Sequence, residues 1–142
     1  MTEQELISAA KAPTFAYLKK DWGAVRAACT LDFVYDEVAT SRNVRGVEEV
    51  LKVWKGWSAA FPETAEPFVE SHVAGNKVIL ELRWRGKNTG PLALPGGREV
   101  PPTGKSMDLR ACQILEIADG KVKSMRQYFD MASLLNQLGI KA

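Results

Sequence analysis

The amino-acid sequence predicts a single α+β domain, in which about three helices pack on a curved antiparallel sheet shaped like a cone and enclose a pocket. Two observations carry this prediction: helical periodicity fills the first half of the chain, and strand periodicity with hairpin turns fills the second. Helices followed by a run of antiparallel strands are typical of α+β domains. The chain has 142 residues, the size of one ordinary domain, so we treat residues 1–142 as one unit.

The helical part begins with a capping signal, because Thr2 is followed three residues later by Glu5. Pro13 interrupts the apolar stripe that follows and predicts a kink or a restart, since proline lacks the N–H that a helix needs. A second stripe has three–four spacing and predicts an amphipathic helix from about residue 45 to residue 61. Pro62 ends that helix.

The second half of the chain contains four segments of alternating or β-rich residues, at about 67–74, 77–85, 106–117 and 121–129. Gly75-Asn76 and Asp119-Gly120 predict hairpin turns between them. Asp130 then caps a last short helix, which Gly139 ends. The glycine-rich and proline-rich loop of residues 87–105 is long for a compact domain, and both a lid and a plain connection fit it.

The composition excludes several classes of partner. The net charge is +2, from 19 basic and 17 acidic residues that are interleaved, so we expect neither nucleic acid nor a membrane as partner. One histidine and two scattered cysteines cannot build a zinc site of nitrogen and sulfur ligands, and we expect no metal. No apolar run approaches the roughly 20 residues that cross a bilayer. The N-terminus lacks the apolar core of a signal peptide, which favours a cytoplasmic protein.

Five short motifs follow one another in the second half: Gly86-Lys87-Asn88-Thr89-Gly90, Pro101-Pro102-Thr103-Gly104-Lys105, Asp119-Gly120-Lys121-Val122, Tyr128-Phe129-Asp130 and Leu135-Asn136-Gln137-Leu138-Gly139. Through them the chain resembles the SnoaL-like polyketide cyclase family, also called ester cyclases, of the nuclear-transport-factor-2-like superfamily. The resemblance covers roughly residues 66–140. It implies the cone-shaped fold, a homodimer, and catalysis by side chains alone, without metal or organic cofactor.

The resemblance also implies a chemistry, which is proton transfer at a carbon next to a carbonyl, as in aldol cyclisation, isomerisation or dehydration. The family's acid/base aspartate corresponds to Asp130, although an aspartate there also suits a helix N-cap. Glu37 and Tyr17 are similar in position to the carboxylate base and the oxyanion-binding tyrosine of ketosteroid isomerases. A solvated loop acid and a core residue are the alternatives for these two.

Several aromatic residues are candidates for a binding site. Trp54 and Trp57 lie at helical spacing and Tyr128 lies near the end of a strand, next to the candidate Asp130. Indoles beside a cavity suit a small hydrophobic or polycyclic ligand, whereas tryptophans at helical spacing also fit an ordinary core. We therefore expect these three side chains near the pocket, with plain packing as the alternative for the tryptophans.

The strand at residues 106–117 has one apolar and one polar face, and the polar face carries Asp108, Arg110 and Glu116. If that face lines the pocket, Arg110 and Glu116 belong to the site, and the group resembles in outline that of limonene-type epoxide hydrolases. If it faces solvent, these are ordinary cross-strand pairs. The sequence thus leaves two alternatives to a cyclase-type enzyme: an epoxide hydrolase and a non-catalytic module that binds a hydrophobic ligand.

Overall fold

The computed structural model describes residues 1–141. The α-helices of this part of the chain are α1 (Glu3–Leu18), α2 (Trp22–Ala28), α3 (Val47–Ala60) and α4 (Met131–Leu138). The strands are β1 (Cys29–Glu37), β2 (Arg42–Arg45), β3 (Phe68–Ala74), β4 (Lys77–Lys87), β5 (Leu92–Ala93), β6 (Glu99–Val100), β7 (Ser106–Ala118) and β8 (Lys121–Phe129). The predicted helices at 45–61 and after Asp130 and all four predicted strands are present, with ends shifted by one or two residues.

Six strands form one sheet in the order β2-β1-β8-β7-β4-β3, and β5 and β6 form a separate two-stranded ribbon. Neighbouring strands are antiparallel except β1 and β8, which run parallel. The sheet is therefore mixed, which corrects the expectation of a wholly antiparallel one. Bulges in β1–β8, β3–β4 and β7–β8 interrupt the ladders, and such irregularities bend a sheet.

Helix α1 starts at the predicted capping box, where the Thr2 hydroxyl accepts a 3.1 Å hydrogen bond from the Glu5 N–H. The helix then runs through Pro13 to its end at Leu18, so no restart occurs at the proline. The proline lacks one backbone N–H, and packing of its buried face, which includes Pro13 itself, offsets the loss of that hydrogen bond. The chain restarts later, where the Asp21 carboxylate accepts from the Ala24 N–H at 3.1 Å and caps α2.

The inner face of the sheet carries every second residue of its strands, and the helices cover that face. One apolar cluster joins α1 and α3 to the middle of the sheet. A second cluster lies at the other end, where Leu92 and Leu94 of the 87–105 segment pack with Phe61 and Leu134. Residues of both clusters, among them Trp54 and Leu134, line one cavity. No helix within residues 1–141 has the length and apolar character needed to span a membrane.

Candidate functional site

The helices and the inner face of the sheet surround a cavity of about 70 Å³. On the same volume scale a single water needs about 10–15 Å³, so the cavity has room for several waters or for a small ligand. Its walls are largely aromatic, formed by Tyr17, Tyr35, Trp54, Trp57, Phe61, Trp84 and Phe129. The cavity wall therefore contains the predicted pocket residues Trp54 and Trp57 and the predicted oxyanion-binding Tyr17.

Glu37 lies behind this wall and is fully buried, with 0% of its surface exposed. The Tyr35 hydroxyl and the Trp57 indole N–H donate hydrogen bonds to its Oε2 at 2.6 and 2.9 Å. Its Oε1 accepts from the Thr40 hydroxyl at 2.6 Å and from two nitrogens of Arg42 at 3.0 and 2.6 Å. The alternative of a solvated loop acid is thus wrong. Tyr35, Thr40, Arg42 and Trp57 all donate hydrogen bonds to the Glu37 carboxylate.

The register of two strands brings Arg42 to Glu37. Strand β2 pairs with β1 so that Arg42 lies directly opposite Glu37, and the two form an ion pair of 2.6 Å. A buried carboxylate needs such a partner, because an unpaired charge away from water costs several kcal/mol. The guanidinium also lies 6.0 Å from the ring centre of Trp57. The sequence does not reveal Arg42 as a site residue, since the pairing of β1 with β2 leaves no signal in the residues themselves.

A chain of hydrogen bonds continues from Tyr35 into the sheet. The Gln127 amide nitrogen donates to the Tyr35 hydroxyl at 2.8 Å, and the Gln127 oxygen accepts from the Trp84 indole at 3.1 Å and the Gln113 amide at 3.0 Å. All four of these side chains line the cavity. Their signal in the sequence is weak but present, because Gln113 and Gln127 are polar residues at inward positions of otherwise apolar strand faces.

The two tyrosine hydroxyls of the cavity hold their protons tightly. Burial, and secondly the charge of Glu37, raise the pKa of Tyr17 well above its usual value. Burial, the charge of Glu37 and the hydrogen bond to it raise the pKa of Tyr35 in the same direction. Both phenols are therefore neutral at physiological pH. The Tyr35 hydroxyl donates its hydrogen bond to Glu37, whereas no group of residues 1–141 accepts a hydrogen bond from Tyr17, which leaves that donor open to a ligand.

Asp130 lies outside the cavity wall and is exposed. Its Oδ1 accepts a 3.1 Å hydrogen bond from the Ala132 N–H, so that it caps α4. The observed place of this carboxylate is the one that the N-cap alternative predicted. It does not meet Glu37 or Tyr17 at the cavity.

Three further residues predicted to line the pocket lie instead on the outer face of the sheet, so their prediction is wrong. On β7 the odd-numbered residues Met107, Leu109 and Gln113 reach the cavity, so Arg110 and Glu116 point the other way. Apolar odd-numbered positions cover the core, and the period of two then turns the polar positions outward. Tyr128 of β8 is 41% exposed, 5.7 Å from the guanidinium of Arg126.

Asp108, Arg110 and Glu116 are the β7 residues of the epoxide hydrolase alternative. Because their face of the strand points outward, they do not line the cavity. Asp108 pairs with Arg83 at 2.6 Å on the exposed surface, as the alternative of cross-strand pairs predicted. Possible metal ligands lie on the surface too: within residues 1–141, Glu70, His72 and Glu81 place one ligand atom each within 4.8 Å of one another, all three exposed. They have no connection to the cavity.

Several solved structures share this fold. TsrD from Streptomyces laurentii has a TM-score of 0.82 at 18% identity, covering 99% of both chains. IdmH from Streptomyces antibioticus, proposed as a polyketide cyclase, has a TM-score of 0.78 at 22% identity, covering 95% of this chain and 99% of its own. A protein of ketosteroid isomerase-like fold from Catenulispora acidiphila, solved with trimethylamine, has a TM-score of 0.77 at 16% identity, covering 94% and 93%.

At these identities the structures establish the fold alone, and no curated protein matches the chain. The evidence for the family comes from the sequence, because the model of SnoaL-like polyketide cyclases matches residues 10–138. That stretch contains α2, α3, the whole sheet and every residue of the cavity wall. The chain therefore belongs to the SnoaL-like polyketide cyclase family.

Proposed function

We propose that this protein is a cofactor-independent enzyme that moves a proton at a carbon next to a carbonyl in a small, flat, largely apolar ligand. Aldol cyclisation, isomerisation and dehydration all begin with this step. One observation carries the proposal: Tyr35 lines an aromatic cavity, and its hydroxyl donates a 2.6 Å hydrogen bond to the buried carboxylate of Glu37. A carboxylate is thereby connected to the cavity without facing it.

In this proposal Glu37 is the base and acts through Tyr35. The ligand carbon loses its proton to the Tyr35 oxygen while the phenol passes its own proton to Glu37, and the C–H electron pair becomes the enolate. Tyr35 stays neutral throughout, in keeping with its raised pKa. The enolate then attacks a second carbonyl, takes the proton back at another carbon, or expels a leaving group.

Tyr17 stabilises the negative charge that forms on the ligand oxygen. Its hydroxyl is an open donor in the cavity wall, and its raised pKa keeps the proton on the phenol. A donor placed beforehand in a largely apolar site is worth more than the same hydrogen bond in water. Trp57 and Arg42 act as positioning residues, because they hold Glu37 where Tyr35 reaches it.

A non-catalytic binding module is the second candidate, and a specific observation favours it. Among the described residues that line the cavity there is no carboxylate, and Asp130 caps a helix at the surface. A wall of aromatic and apolar side chains suits a flat hydrophobic ligand with or without chemistry. The two candidates differ in whether the bound ligand exchanges protons.

The test uses 2-tetralone, a flat bicyclic ketone with exchangeable hydrogens beside its carbonyl. Binding is measured by calorimetry, and exchange in D₂O by loss of the corresponding proton NMR signals. Glu37→Gln and Tyr35→Phe are expected to slow protein-catalysed exchange by about 100-fold or more, the usual contribution of general acid–base catalysis. Tyr17→Phe is expected to slow it by about 10-fold to 100-fold.

Glu66→Gln makes the same chemical change at an exposed carboxylate and serves as the matched control. Binding without faster exchange would assign the cavity to a binding module. Asp130→Asn keeps an oxygen for the Ala132 N–H, so it separates the rival carboxylate from its capping role. Loss of exchange in that variant, with exchange intact in Glu37→Gln, would return the role of base to Asp130.

A further inference from the structure

Glu70, His72 and Glu81 form a cluster on the outer face of the sheet, away from the cavity. Nε2 of His72 lies 3.4 Å from Oε2 of Glu81 and 4.0 Å from Oε1 of Glu70. One ligand atom of each residue lies within 4.8 Å of those of the other two. All three side chains are at least half exposed, so a solute reaches them without any opening of the fold.

The register of β3 and β4 brings the three side chains together. Phe68 pairs with Leu82, but Glu70 pairs with Glu81, so a bulge adds one residue to β3 between them. Without the bulge Glu70 would share the inward face of Phe68, because side chains alternate along a strand. With the bulge Glu70 faces outward, directly opposite Glu81, and His72 follows it on the same face. Bulges commonly redirect a side chain in this way.

This pairing places two negative charges side by side. Like charges directly opposite each other on antiparallel strands are destabilising. Within residues 1–141, His72 is the only group that forms an ion pair with either Glu70 or Glu81. Its Nε2 faces both carboxylates but carries at most one proton, so it donates to only one of them at a time. A cation between the three side chains would interact favourably with both carboxylates together.

The types of ligand atom select the ion. One imidazole nitrogen and two carboxylate oxygens suit a borderline divalent metal such as Zn²⁺, whereas Mg²⁺ and Ca²⁺ take oxygen ligands. Zn²⁺ binds these atoms at about 2.0–2.2 Å, which places tetrahedral ligands about 3.3–3.6 Å apart. The observed separations of up to 4.8 Å need only small rotations of exposed side chains to reach that spacing.

We infer that Glu70, His72 and Glu81 bind one Zn²⁺ ion on the outer face of the β3–β4 pair, with water at the remaining coordination position. The inference is independent of the function proposed for the cavity. Strand β3 is an edge strand of the sheet, and the ion links it to β4. Because the ion binds side chains that only the folded strands bring together, it stabilises the folded protein.

His72 is the only histidine of the chain, so the imidazole proton NMR signals of an untagged protein report on this side chain alone. Titration with zinc chloride is expected to shift these signals and to raise the thermal unfolding midpoint. Magnesium chloride at the same concentrations is expected to do neither. Signals that do not move with zinc would overturn the inference, and so would equal effects of Mg²⁺, which would show that the carboxylates act without the imidazole.

Calorimetry on three variants tests the individual ligands. His72→Gln, Glu70→Gln and Glu81→Gln are each expected to weaken zinc binding by about 10-fold or more, since loss of a group that merely supports a metal ligand has an effect of this size. The two glutamate variants remove the like-charge pair, so their unfolding midpoints without zinc are expected to stay or to rise. Glu66→Gln makes the same change at another exposed carboxylate and is expected to keep full zinc affinity.

Cys112 is the competing zinc ligand nearby, because it lies opposite Glu81 on the other side of β4. Cys112→Ser is expected to retain zinc binding and the shift of the His72 signals. Loss of binding in Cys112→Ser with full affinity in the three ligand variants would assign the metal to the thiol and overturn the inference. Unchanged affinity in His72→Gln would overturn it as well.

Discussion

The indole N–H of Trp57 donates a 2.9 Å hydrogen bond to Oε2 of Glu37, which lies 20 residues earlier in the chain. The bond joins helix α3 to the end of strand β1, and it joins a side chain of the cavity wall to a carboxylate behind that wall. Any ligand that displaces Trp57 therefore disturbs Glu37. This one hydrogen bond therefore contributes both to the stability of the fold and to the position of the Glu37 carboxylate.

Trp57→Phe keeps an aromatic ring in the wall and removes the donor. Hydrogen bonds to charged groups contribute about 1.5–3 kcal/mol, and we expect the free energy of unfolding to fall by about that amount. Urea denaturation measures it. Trp54→Phe makes the same change in the same wall away from Glu37 and separates the hydrogen bond from the loss of ring area. Equal losses in the two variants would contradict the prediction.

The raised pKa values of Tyr17 and Tyr35 predict instability in alkali. The folded protein holds these phenol protons more tightly than the unfolded chain, whose tyrosines titrate near their usual pKa of about 10. The resulting stability is fully present below pH 10 and is lost as the pH rises towards the folded-state values. Phenolate absorbance of these two residues is expected to appear together with loss of circular dichroism.

Tyr17→Phe removes one of these linked protons and is expected to shift the alkaline unfolding midpoint to higher pH. Its effect at pH 7 is expected to be small, because the Tyr17 hydroxyl has no partner within the described chain. Ionisation of either tyrosine while the fold stays intact would show that burial of the hydroxyl does not control its pKa.

Asn88 anchors the segment that follows β4. The residue is fully buried, and its amide nitrogen donates to the carbonyls of Ala60 and Gly90 at 3.0 and 2.9 Å. Its amide oxygen accepts from the N–H and the hydroxyl of Thr103. Asn88→Ala leaves several of these groups unpaired, and we expect a loss of about 3 kcal/mol in unfolding free energy, at about 1–3 kcal/mol per buried group.

Thr103→Val tests this account of Asn88, since it removes the hydroxyl donor and keeps the backbone N–H that also binds the Asn88 oxygen. The expected loss in unfolding free energy is about 1 kcal/mol, well below that of Asn88→Ala. Thermal and urea unfolding of both variants provide the comparison, and similar losses would refute it.

Replacing Gly90 and replacing Gly56 by alanine are expected to have opposite effects on the free energy of unfolding. A Cβ at Gly90 would lie 1.8 Å from the carbonyl oxygen of Ala59, which belongs to the backbone of α3 and cannot move aside. Gly90→Ala is therefore expected to lower the unfolding free energy by several kcal/mol. A Cβ at Gly56 meets nothing within 4 Å, and Gly56→Ala in a helix is expected to stabilise by about 0.5–1 kcal/mol. Thermal unfolding midpoints test both expectations: the midpoint should fall in Gly90→Ala and rise in Gly56→Ala.

The sequence by itself determined the elements whose signals are local, which are α3, α4 and the four strands of the second half. The capping box at Thr2, the cap at Asp130 and the turns at Asp119-Gly120 are local, so neighbouring residues suffice to predict them. Five ordered motifs in the second half were enough to identify the family. The tryptophan candidates of α3 were also found from their helical spacing, whereas Tyr17 of α1 was found from a resemblance in position to the oxyanion-binding tyrosine of ketosteroid isomerases.

The tertiary structure alone decided which of the candidate residues meet at the site. Glu37 became buried because the register of β1 and β2 supplies Arg42, and that register is a long-range property of backbone pairing. Arg110 and Glu116 turned outward because the apolar residues between them cover the core, a choice that the sequence left open. Periodicity gives two faces to every strand, but only the packing of the helices determines which face encloses the cavity.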